Sequence, residues 1–76
     1  MDIRRQIGLN VQRIRRTHGW SQEELAFQSG LHRTYISGIE RGARNPTATV
    51  IQELATALGV TAAALLDTGG PAPGAA

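Results

Sequence analysis

The stretch Ser21-Gln-Glu-Glu-Leu-Ala-Phe-Gln-Ser-Gly-Leu-His-Arg-Thr-Tyr-Ile-Ser-Gly-Ile-Glu-Arg-Gly42 constrains the fold more than any other part of the chain. Ser21 and Glu24 have the spacing of a capping box, in which the hydroxyl accepts from the Glu24 N–H and the carboxylate reaches back to the Ser21 N–H. Trp20 and Leu25 flank it at hydrophobic-staple positions. A helix is therefore expected from Gln22 until Gly30, whose missing Cβ permits the left-handed conformation that stops a helix. A second helix follows almost at once.

The second helix can be read by angle. With Arg33 at zero and about 100° added per residue, Arg33, Thr34, Ser37, Gly38 and Arg41 fall in one arc, and Ile36 and Ile39 lie opposite. One face packs, and the other is polar, basic and of little bulk. Ala26, on the preceding helix, is small where two helices must cross closely. The pattern is a helix-turn-helix with an exposed second helix suited to a groove.

Ala26, Gly30, Ile36 and Ile39 stand at the fifth, ninth, fifteenth and eighteenth positions counted from Gln22. This spacing resembles the helix-turn-helix of phage repressors. The words Ser-Gln-Glu-Glu-Leu-Ala and Tyr-Ile-Ser-Gly-Ile-Glu-Arg-Gly resemble the Xre family of bacterial and phage regulators. Arg33 to Arg41 together with Arg44-Asn-Pro-Thr47 is especially similar to the controller proteins of restriction-modification systems. The resemblance runs from Ile7 to Leu66 and implies an all-α, five-helix, lambda-repressor-like domain. It also implies an ion pair between Arg15 on the first helix and Glu40 on the third, and a two-fold interface formed by helix five and the neighbouring end of helix four, with Val60, Leu65 and Leu66 as its residues.

Seventy-six residues allow one small domain near the lower limit for a self-sufficient core. Residues 1–67 are read as that domain, and 68–76, rich in glycine, proline and alanine, as a flexible tail with nothing to bury. With no cysteine, neither a disulfide nor a thiolate metal site can staple the fold. All eight cationic side chains are arginine, whose planar fork suits phosphates and guanine edges; a GC-rich genome accounts for the same bias. No apolar run approaches the ~20 residues of a membrane span, and no signal peptide opens the chain. The expectation is a cytoplasmic protein.

Ile3, Ile7, Val11 and Ile14 form an apolar stripe on a first helix from Asp2 to His18, ended by Gly19. Pro46 and Thr47 start a fourth helix, capped by the threonine, in which Val50, Ile51, Leu54, Ala55 and Leu58 repeat until Gly59. Thr61 caps a short fifth helix through Leu66.

The angles assign roles on DNA. Gln22 gives its amide to a phosphate, which sets register. The N-terminal end of helix three then enters the major groove. Arg33 is placed for a bidentate bond to guanine O6 and N7, with Thr34 against a neighbouring base. Tyr35, at the edge of the arc, joins the base contacts in the controller-protein resemblance, with plain packing as the alternative. Ser37, Arg41, Arg44 and Asn45 are assigned to phosphates. Gly38 has two open readings, close backbone approach to DNA or a merely tolerated glycine. His32 stands where an aspartate or serine cap is usual, which leaves capping, phosphate contact and exposure open.

The two histidines sit in separate elements, no cysteine is available, Ser21 is explained by capping and no glycine loop ends in Gly-Lys, so no catalytic constellation survives and no cofactor or small-molecule ligand is expected. The expected function is regulation of transcription by a homodimer on double-stranded DNA, with recognition helices roughly 34 Å apart on a near-palindromic operator. The competing class is a protein-interaction module, such as an antitoxin, built on the same helices.

Overall fold

A computed structural model describes residues 2–69, which form five helices and, among the described residues, no strand. They are α1 (Ile3–Thr17), α2 (Gln22–Ser29), α3 (Arg33–Glu40), α4 (Ala48–Leu58) and α5 (Ala62–Leu66). The expected tail, 68–76, lies outside the described residues except for Thr68 and Gly69. None of the helices described is long and apolar enough to cross a membrane.

Four of the five helices described start on a side-chain cap. Asp2 accepts from the Arg4 N–H at 3.0 Å, Ser21 Oγ from Glu24 N–H at 3.0 Å, and Thr47 and Thr61 from Val50 and Ala64 N–H, both at 3.2 Å. Side-chain and backbone hydrogen bonds from Arg4 hold the Asp2 carboxyl below the usual carboxylate range. α3 begins without this aid, since His32 makes no side-chain capping bond. Gly30 and Gly59 end α2 and α4 in the left-handed region, at φ 74° and 71°.

Ile7, Val11 and Ile14 of α1 meet Leu25, Ile36, Ile39, Ile51, Leu54, Ala55, Leu58 and Leu65 in one core. The stripe is shorter than expected, because Ile3 at the start of α1 is 45% exposed. The capping box is also half formed: Glu24 does not turn back to Ser21 but accepts from Gln28 Nε2 at 2.9 Å, one helical turn on.

Three contacts join elements distant in sequence. Gly8 lets α1 lie directly against the end of α3; a Cβ there would collide with the Ile39 carbonyl oxygen and stand 2.7 Å from that of Glu40. Asn10, buried, donates through Nδ2 to the carbonyls of Leu65 and Asp67 at 2.9 and 2.7 Å. It thereby satisfies acceptors that the end of α5 leaves open. His18 Nε2 lies 2.7 Å from the Leu58 carbonyl at the end of α4, with its ring stacked on Trp20 at a centroid distance of 4.5 Å. A carbonyl only accepts, so this nitrogen carries the proton.

A candidate nucleic-acid interface on α3

The interface is built on a buried carboxylate. Glu40, the last residue of α3, receives Arg15 through Nε at 2.7 Å and Nη2 at 2.9 Å, a fork held between α1 and α3. The third guanidinium nitrogen, Nη1, donates to the Trp20 carbonyl at 2.7 Å. Hydrogen bonding to Glu40 raises the Arg15 pKa above its already high ordinary value, so the cation persists at any working pH. Gln22 adds a donor from α2, with Nε2 at 3.1 Å from Glu40 Oε1. One carboxylate thus gathers α1, α2 and α3, and among the described residues no buried side-chain nitrogen or oxygen lacks a partner. Removing Arg15 leaves the Glu40 charge unpaired in a place nearly closed to water.

On the opposite side, α3 is open. Arg33 and Thr34 in its first turn are exposed, and among the described residues neither side chain is engaged in a hydrogen bond. Ser37 Oγ accepts from Arg41 Nη1 at 3.3 Å, which lays the arginine back along the helix. Tyr35 is half-buried against the core, and the Arg44 guanidinium carbon lies 5.8 Å from its ring centroid. Asn45 is exposed in the same loop. The structure therefore brings Arg33, Thr34, Ser37 and Arg41 onto one helix and sets Arg44 across it.

Two sequence expectations change. Gly38 is buried, covered by the Arg44 side chain rather than open on the groove-facing arc. Leu65, expected at a subunit interface, is fully buried within its own core, whereas Val60 is half-buried against that core and Leu66 is 42% exposed. Gln22, assigned to a phosphate, has one amide N–H on Glu40 and retains a second. His32 is exposed.

A family model described as "Helix-turn-helix", HTH_3, matches residues 11–65. The chain belongs to the HTH_3 family. Among similar members, the control protein C.BamHI of Bacillus amyloliquefaciens is 49% identical over 67 residues, covering 87% of this chain and 83% of its own length. The solved structure of the restriction-modification controller protein C.AhdI from Aeromonas hydrophila superposes with a TM-score of 0.79 at 44% identity, over 82% of this chain and 94% of that one. A third similar protein, the restriction-modification controller protein C.Esp1396I, was solved as a tetramer in complex with its natural 35 base-pair operator; it superposes with a TM-score of 0.78 at 35% identity, covering 86% of each chain.

Proposed function

We propose that this HTH_3 protein is a transcriptional regulator that binds double-stranded DNA with α3 in the major groove, in the manner of a restriction-modification controller. The observation that carries the reading is the division of α3 into two faces. Ile36, Ile39 and Glu40 are buried and fixed, while Arg33 and Thr34 are exposed at its start with no side-chain hydrogen bond among the described residues. A rigid helix with a free arginine at its N-terminal end is what direct base readout in the major groove uses. Arg33 and Thr34 read bases, and Tyr35 borders them. Gln22, Ser37, Arg41, Arg44 and Asn45 hold phosphates, which fixes register and makes affinity fall with salt. Val60 and Leu66 pair two copies, which puts two copies of α3 on a near-palindromic site.

The test is titration of the purified protein against the DNA immediately upstream of its own gene, at two salt concentrations, with footprinting. Two symmetric protected half-sites support the reading. A second reading, a protein-interaction module, has one observation in its favour: Phe27 on α2 is 82% exposed. Weak, unphased and strongly salt-sensitive DNA binding would favour it.

A further inference from the structure

Gly38 occupies the middle of α3, and glycine is among the poorest residues for a helix interior. Its backbone is helical, so no left-handed turn demands it. The demand comes from the loop that follows. Ala43 and Arg44 both donate their backbone N–H to the Gly38 carbonyl, at 2.9 and 3.2 Å, so the chain doubles back onto α3 immediately after leaving it. A Cβ on Gly38 would stand 2.6 Å from Arg44 Cγ and 3.5 Å from Arg44 Nε. The arginine stem fills the volume that a side chain at position 38 would take. Its guanidinium then reaches the ring of Tyr35, three residues earlier and therefore a neighbour on the same helix face.

We infer that Gly38 is a positioning residue: its missing side chain is a slot that holds Arg44 across α3, with the guanidinium over Tyr35 and directed at the backbone of a bound duplex. This rests on the DNA-binding reading of α3. Arg44 is exposed, so the slot fixes its direction without removing it from solvent. An arginine fixed on a phosphate loses rotamer freedom, and one already held loses less. Gly38→Ala consequently separates two properties that a purely structural glycine would lose together. The helix gains a better helix former, since the colliding atom belongs to a flexible side chain that can swing out, while the DNA contact loses its preset direction.

Two measurements decide it. In proton NMR of the free protein, an Overhauser contact is expected between the Gly38 α-protons and the Arg44 γ-methylene, which fills the volume of a Gly38 Cβ. The contact between residue 38 and that methylene disappears in Gly38→Ala, while the circular dichroism and melting temperature stay at or above those of the parent. Absence of the contact in the parent, or its retention in Gly38→Ala, overturns the slot. On a duplex that the parent protects, Gly38→Ala weakens binding by roughly threefold to tenfold, the scale of immobilising one long side chain. In an Arg44→Ala background the same change has less than a twofold effect. Equal losses in both backgrounds would mean that Gly38 acts by admitting the duplex to its own backbone, which overturns the inference. A parent protein that binds no duplex overturns the DNA-binding reading and the role of the slot within it; the Overhauser contact between Gly38 and Arg44 persists in that case, so the two failures are distinguishable.

Discussion

The three arginines on and after α3 are not equivalent, and their surroundings assign them different work. Arg41 rests on Ser37 and Arg44 on Tyr35, so each has an internal partner that directs it along the surface. Arg33 has none among the described residues and projects from the first turn. Arg33→Ala is expected to cost about 1–3 kcal/mol on the specific site while leaving scrambled duplex almost unaffected. Competition titrations check this, and equal weakening on both duplexes would move Arg33 to the phosphates. Arg44→Ala is expected to weaken every duplex alike and to reduce the slope of log affinity against log salt by about 0.9 per subunit, roughly 1.8 for a bound dimer. An unchanged slope would remove Arg44 from the phosphate contacts.

At the scale of elements, the orientation of α3 depends on two features of α1 that have opposite chemistry. Gly8 allows contact by having no side chain, and Arg15 enforces it with a buried fork. Gly8→Ala puts a methyl into the carbonyls at the end of α3; the strain, about 1–3 kcal/mol for an overpacked site, is expected to exceed the gain in helix propensity and lower the melting temperature. Arg15→Ala strands Glu40 and is expected to cost about 3–5 kcal/mol in urea denaturation. A loss below ~1 kcal/mol would show the pair to be dispensable. The helix boundaries were legible in the sequence because their causes are local: Ser21, Thr47 and Thr61 act three residues away, and Gly30 and Gly59 act on their own backbone. Arg15 with Glu40 was legible only through resemblance. Asn10, His18 and Gly8 were not, since Asn10 meets carbonyls 55 and 57 residues on and His18 one 40 residues on. Nothing in the neighbouring residues announces such partners. The role of Gly38 was hidden for a related reason, because angle on a helical wheel does not show that a later loop will cover that face.

For the whole molecule, α5 sets a core residue directly beside an exposed apolar one, and the proposed pairing of two copies falls on the second. Leu65 is fully buried, whereas Leu66 next to it is 42% exposed. Leu65→Asp is expected to unfold the chain, and Leu66→Asp to give a folded monomer in sedimentation equilibrium, with helix content retained by circular dichroism. A Leu66→Asp protein that still sediments as a dimer would place the interface elsewhere. The same separation runs through α3, and it bears on how such proteins diverge. The carboxylate that anchors α3 is closed off on one side, and Arg33 and Thr34 stand on the other without touching it. On the proposed reading, a codon change at either position alters which promoter is recognised and leaves the anchoring carboxylate untouched. A duplicated copy of this gene would then be free to take a new target without rebuilding its fold.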